Sequence, residues 1–210
     1  MIGIIDYGLG NINAFFNLYK SLNIPCKIAS SPADILSSKK LILPGVGSFD
    51  GAINKINDSG LLESINQKVL KESTPILGIC VGMQIMALRS EEGSQPGLGW
   101  INGEVKKIQL INTSKKISNP LPHMGWNEIN LKKNSILTEC LNKERNFYFL
   151  HSYYFECANR EDIIASSNYG IEFSAIINYK NIYGIQCHPE KSHKNGIELL
   201  KSFANINSHA

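Results

Sequence analysis

Two short stretches carry residue types whose spacing suits nucleophilic chemistry. The first is Gly78-Ile79-Cys80-Val81-Gly82. It puts a thiol where a G-x-S-x-G elbow carries its serine, at the end of a short apolar run. In such an elbow the turn is tight and the glycines let the flanking elements pass close. The nucleophile's backbone is strained and its side chain stands up at the sheet edge. The start of the following helix favours the thiolate form. Taken alone, the same pentapeptide fits a buried structural cysteine between two packing glycines about as well.

The second stretch is Gln186-Cys187-His188-Pro189-Glu190. A thiol nucleophile needs a base, and the base needs an orienting group. Glu190 can hold one ring nitrogen of His188 while the other faces Cys80, and Pro189 stiffens the link. A lone His-x-Glu more often lies on the surface. Paired with an elbow cysteine, it reads as a triad of Cys80, His188 and Glu190. A third stretch, Pro44-Gly45-Val46-Gly47, can offer backbone N–H groups to a developing oxyanion, with the N–H of Val81 as the other donor. By itself this loop is also a plain turn.

The elements needed to position these groups are legible. Ile2–Ile5, Pro25–Ala29, Leu41–Leu43 and Pro75–Ile79 read as buried strands, the third stopped by Pro44. Between them lie helical patterns. Ile12, Phe15, Phe16 and Tyr19 share one helix face, Ser31-Pro32 starts a second helix, and 48–58 and 61–72 follow. This alternation predicts an α/β fold with a mainly parallel central sheet and helices on both faces. Sites in such sheets form beyond the carboxyl ends of the strands, where the loops at Gly8–Gly10, Pro44–Gly47 and Cys80 would meet. The second half predicts a smaller antiparallel region, with strands at 105–111, 147–155, 163–166, 173–177 and 182–187 and a hairpin tip at 178–181. A closing helix covers 192–204. One domain is expected over 1–204, with a frayed tail over 205–210.

Composition narrows the classes. The 210 residues include 21 Lys+Arg and 18 Asp+Glu, a formal net charge of +3, with lysine pairs scattered rather than clustered. A nucleic-acid groove would need a concentrated basic face. No apolar stretch approaches the ~18 residues of a membrane span, and the N-terminus lacks signal-peptide organisation. Five cysteines without paired spacing argue against a disulfide framework or a zinc site. No metal or cofactor is expected, and a reducing cytoplasm fits.

Several blocks, in order, carry a family resemblance: Asp6-Tyr7-Gly8-Leu9-Gly10-Asn11, Leu43-Pro44-Gly45-Val46-Gly47, Gly78-Ile79-Cys80-Val81-Gly82-Met83-Gln84, His123-Met124-Gly125-Trp126-Asn127, His151-Ser152-Tyr153 and His188-Pro189-Glu190-Lys191-Ser192. The chain resembles the class I, triad-type glutamine amidotransferases from Met1 to about Phe203. Within them it is most similar to the glutaminase subunits of imidazole glycerol phosphate synthases. The resemblance implies that Cys80 attacks the glutamine carboxamide, His188 transfers protons and Glu190 orients His188. It implies an oxyanion hole of Val46, Gly47 and Val81. Because unregulated hydrolysis would waste glutamine and lose ammonia, the Val46–Gly47 donor is expected to point away in the free subunit. The resemblance places Gln84, Glu92, Ser152 and Tyr153 around the substrate, with Glu91 offering the same group as Glu92 one residue away. It puts Asn11, Trp126 and Lys191 at the interface with a (β/α)8-barrel cyclase partner in histidine biosynthesis. Trp126 and Met124 read without the resemblance as core. His123 and His151 are expected to be structural.

Two departures stand out. Cys187 replaces the family's usual Phe before His188 and reads as a packing change, with a Cys80–Cys187 disulfide as the alternative. Trp100 and His193 lean towards paralogues that feed ammonia to a sugar amidotransferase in surface-polysaccharide synthesis, which is the rival functional reading.

Overall fold

The computed structural model describes residues 1–109, 120–141 and 144–206. Four short runs, β1 (Ile2–Ile5), β2 (Cys26–Ala29), β3 (Lys40–Gly45) and β4 (Ile76–Cys80), form a parallel sheet. β1 and β4 are buried along their whole length, as a strand covered on both faces requires. The sheet continues through β13 (Ile182–Ile185), which is parallel to β4. Three antiparallel strands complete it: β12 (Glu172–Tyr179), β11 (Ile163–Asn168) and β8 (Asn130–Leu131). The order is β2-β1-β3-β4-β13-β12-β11-β8.

The helices follow from the pattern. α1 (Ile12–Ser21) buries Phe15 and Tyr19, and the Tyr19 hydroxyl donates to Leu200 O (3.1 Å) on α6 (His193–Asn205). α2 (Pro32–Leu36) has Pro32 in its first turn and a cap at Ser31, whose hydroxyl accepts from Asp34 N (3.2 Å). α2 packs against α4 (Leu62–Asn66), which continues into a π-helical turn over Gln67–Lys71. The chain runs from β1 outward to β2 and then back across to β3. With right-handed crossovers, that reversal puts α1 and α2 on opposite faces. It also opens a crevice at the carboxyl ends of β1 and β3.

β3 does not stop at Pro44. It runs through Pro44 and Gly45, which pair with Ile79 and Cys80 of β4. Pro44 is tolerated because β1 pairs with β3 only as far as Ile42, so no ladder bond is needed from its missing N–H. Gly45 then lies directly under the turn after Cys80. A Cβ on Gly45 would stand 2.2 Å from Gly82 N, and one on Gly82 would stand 2.0 Å from Leu43 O. Neither position has room for any side chain.

Two smaller sheets flank this core. β5 (Arg89–Ser90), β6 (Gly103–Lys107) and β10 (Tyr153–Cys157) form one; β7 (His123–Glu128) and β9 (Asn146–His151) form the other. The single strand expected over 147–155 is therefore two strands in two sheets. The break falls at Ser152, whose carbonyl accepts from Ile108 N (2.9 Å). β7 and the short β5 and β8 lie where no strand pattern was expected. Asn178–Asn181 is the expected hairpin tip, with Lys180 at φ +53. Strand β6 ends at Lys107, and positions 110 and 111 lie outside the described residues. α6 reaches Asn205 and Ile206 is buried; 207–210 lie outside the described residues. Among the described residues no helix is long and apolar enough to cross a membrane.

The close packing under the elbow gives a direct expectation. Gly82→Ala should lower stability by about 2–3 kcal/mol, as overpacking does against backbone that cannot retreat. Urea unfolding should show a reduced midpoint at unchanged slope.

Candidate active site

Cys80 ends β4 with φ +55 and ψ −114, a region that a side-chain-bearing residue occupies only under constraint. The strained elbow expected from the pentapeptide is present. The helix after it, α5 (Val81–Gln84), is shorter than the sequence implied. One turn still presents free N–H groups at Val81, but it supplies less of a dipole than a full helix would.

His188 follows β13 and is clamped through its backbone. Its N–H donates to Tyr148 O (2.8 Å), and its carbonyl accepts from the Ser192 hydroxyl (2.6 Å). Ser192 Oγ in turn accepts from Tyr148 N (3.0 Å), so β9 and the His188 loop are locked together. His188 Nδ1 lies 3.0 Å from Glu190 Oε1, which leaves Nε2 free for Cys80, at the same cavity. Burial alone would depress the imidazolium. The hydrogen bonds to Cys80 and Glu190 outweigh it and hold His188 well above the usual histidine value. Both Cys80 and Cys187 are free thiols, so the disulfide alternative does not occur. Cys187 is fully buried, and burial pushes its thiol far up. It is an inert packing residue.

A cavity of about 280 Å³ opens over Cys80. Val46, Gly47, Val81, Gln84, Glu92, Ser152 and Tyr153 line it with Cys80 and His188. Cys80, His188 and the residues expected at the oxyanion and the substrate thus share one cavity, and Glu190 reaches it through His188. The choice between Glu91 and Glu92 is resolved by position. Glu92 lines the cavity, and its Oε2 accepts from Phe49 N (2.8 Å) at the start of α3 (Phe49–Asp58). Glu91 instead accepts from Lys107 N (2.8 Å) at the surface. Gln84 is almost fully buried, with Nε2 donating to Tyr153 O (2.9 Å) and to Gln186 Oε1 (3.0 Å). Gly47 has φ +89 and open space where a side chain would stand, so the Val46–Gly47 peptide has room to turn.

Over residues 3–206 the sequence matches the family described as glutamine amidotransferase class-I. The chain belongs to this family. The amidotransferase is 48% identical over 206 residues to "Imidazole glycerol phosphate synthase subunit HisH" of Leptospira borgpetersenii. It is 49% identical to the protein of that name from Bdellovibrio bacteriovorus. Both alignments cover 98% of this chain and 100% of the relative. Among solved structures, one titled a glutamine amidotransferase superposes with TM-score 0.73 at 16% identity, covering 98% of this chain and 99% of the other. PurLQS from Thermotoga maritima gives 0.65 at 17%, covering 97% of each chain. These two likenesses establish the fold.

The three interface candidates of the amidotransferase are all exposed, on the same side of the site. Asn11 precedes α1, and α1 packs against the 3-10 turn Pro189–Lys191. Trp126 is 50% exposed and stacks on His193 at 5.2 Å, and Lys191 Nζ sits 5.3 Å from the Tyr148 ring centroid. Met124 is 65% exposed. The alternative reading of Trp126 and Met124 as core is overturned, because strand alternation on β7 turns 124 and 126 outward. Sequence reasoning gave no role to Gln186, whose Nε2 lies 3.7 Å from Cys80 Sγ. Its position two residues before His188 was the available signal, since strand periodicity puts 186 and 188 on one side.

His123 and His151 form a buried pair, and His151 lines the cavity. His123 Nδ1 and His151 Nε2 are 2.9 Å apart. Burial pushes His123 down to about 4 and His151 down to about 3. As pH falls below about 6.5, the unfolded chain takes up protons on both histidines and the fold refuses them. The pair's contribution is complete above that pH and is lost as pH falls, down to about 4 for His123 and about 3 for His151. His188, held high, stays protonated in the fold, so the unfolded chain's proton uptake on it opposes the decline near the top of this window and adds nothing at its lower end. The urea midpoint should fall over that range, and His123→Gln should flatten the decline.

Proposed function

We propose that the chain is the glutaminase subunit of an imidazole glycerol phosphate synthase in histidine biosynthesis, handing ammonia to a (β/α)8-barrel cyclase partner. The observation that carries the chemistry is the strained Cys80 sharing one cavity with a His188 that Glu190 holds. The names of the full-length relatives carry the pathway, and they favour it over sugar amidation.

In this reading the Cys80 thiolate attacks the glutamine carboxamide carbon. The N–H of Val81 and donors of the Val46–Gly47 loop hold the oxyanion. His188 protonates the departing ammonia, which leaves a γ-glutamyl thioester. His188 then takes a proton from water, hydroxide adds to the thioester carbon, and glutamate leaves as Cys80 is restored. Gln84, Glu92, Ser152 and Tyr153 surround the amino-acid end. Asn11, Trp126 and Lys191 face the partner.

Partner dependence suits the chemistry, since hydrolysis without an acceptor loses ammonia to solvent as ammonium. A missing oxyanion donor lowers rates by about 100- to 1,000-fold, so one turn of the Val46–Gly47 peptide suffices as a gate. The open space beside Gly47 supports this.

Glutamate release should be small for the chain alone and rise sharply with the barrel partner and its nucleotide ligand. A rise with the partner that ignores this ligand would favour sugar amidation. Cys80→Ala should abolish glutamine-driven synthesis and leave the partner's use of free ammonia intact. Loss of both activities would mean that Cys80 serves assembly instead.

A further inference from the structure

Gln186 is fully buried between the nucleophile and the substrate wall, and no step of the reaction above uses it. Its surroundings fix which way its amide points. The Tyr153 carbonyl can only accept, and it receives two donors: His151 Nδ1 (2.9 Å) and Gln84 Nε2 (2.9 Å). Gln84 must therefore present its NH2 end there. That same nitrogen reaches Gln186 Oε1 at 3.0 Å, so Gln186 must present its oxygen to Gln84 and its NH2 to Cys80 Sγ at 3.7 Å.

The histidines extend the same polarity outward. His151 donates from Nδ1, so its Nε2 accepts from His123 Nδ1 (2.9 Å). His123 Nε2 then accepts from Asn127 Nδ2 (3.3 Å), which also donates to Asn168 O (2.8 Å). Every member of this chain has one consistent orientation with both histidines neutral. A flipped Gln186 would set its oxygen against the sulfur and its NH2 against the Gln84 NH2, leaving buried donors unpaired.

We propose that Gln186 is a positioning residue for the nucleophile: its side-chain amide, locked by Gln84, donates to Cys80 Sγ, holds the sulfur at the cavity floor and favours its thiolate. His188 and Gln186 then approach the sulfur from two residues of one extended segment. His188 moves protons during turnover, and Gln186 is a donor that stays fixed. A hydrogen bond to a charged form favours that form. This inference rests on Cys80 being the nucleophile.

The test is the pH profile of Cys80 alkylation by iodoacetamide in the full chain, read by mass on the Cys80 peptide because four other cysteines are present. Gln186→Met keeps length and removes the donor. Its alkylation should be about tenfold slower near neutral pH, with the apparent midpoint moved up and the alkaline plateau kept. Gln186→Glu keeps an acceptor for Gln84 but sets a carboxylate against the sulfur, and should move the midpoint further. Gln84→Met leaves Gln186 in place but frees its amide, and should move it less in the same direction. A midpoint unchanged in whichever of these variants fold, or a loss of rate equal at every pH, overturns the proposal. Alkylation needs neither glutamine nor partner. Failure here is therefore distinct from failure of the glutaminase reading, which would show as glutamate release surviving Cys80→Ala.

Discussion

The constraint on which the rest depends is the contact between the turn after Cys80 and the end of β3. Gly82 lies against Leu43 O so closely that a Cβ would stand 2.0 Å away. That approach holds the elbow down, forces Cys80 to φ +55 and turns its side chain up into the cavity. It also brings the Val46–Gly47 loop, which continues directly from β3, to the same cavity as the thiol. Cys80 and the Val46–Gly47 loop are thus two ends of one packing contact. Backbone strain of this kind persists only where surrounding structure over-determines it, and two adjacent buried parallel strands supply that determination.

The large sheet provides the reacting groups, and the small sheets provide the walls. Cys80 and His188 follow the neighbouring strands β4 and β13, whose parallel pairing sets them side by side. One cavity wall comes from the point where the chain leaves the β7–β9 ribbon for the β10 sheet. Ser152, at the break, faces the cavity, and the Tyr153 carbonyl beside it collects Gln84 and His151.

The β7–β9 ribbon uses its two faces differently. Outward, Met124 and Trp126 are exposed beside Tyr148, Lys191 and His193, an apolar and aromatic patch rimmed by charge. Patches of this character mark interaction sites. Inward, His123 and His151 pack among Phe149, Tyr169 and Phe173. Strand alternation puts these two faces one residue apart, so the exposed patch and the polar chain ending at Cys80 share a backbone.

Sequence by itself determined the parallel half of the fold and the elbow, and it singled out Cys80, His188 and the residues that line the cavity with them. Those signals are local: apolar runs of strand length, helical periodicity, glycines at a tight turn, and two-residue spacing beyond a strand. It did not determine that β3 runs through Pro44, because whether a proline can lie in a strand depends on the neighbour it lacks. It read 147–155 as one strand, because periodicity does not reveal a change of sheet. It chose Glu92 with Glu91 as the neighbouring alternative and left Trp126 between core and surface, since both choices depend on what packs alongside. The orientation of Gln186 was also beyond it. An amide's direction is set by donors and acceptors far apart in the chain, and only the tertiary structure brings Tyr153, Gln84 and Cys80 around it.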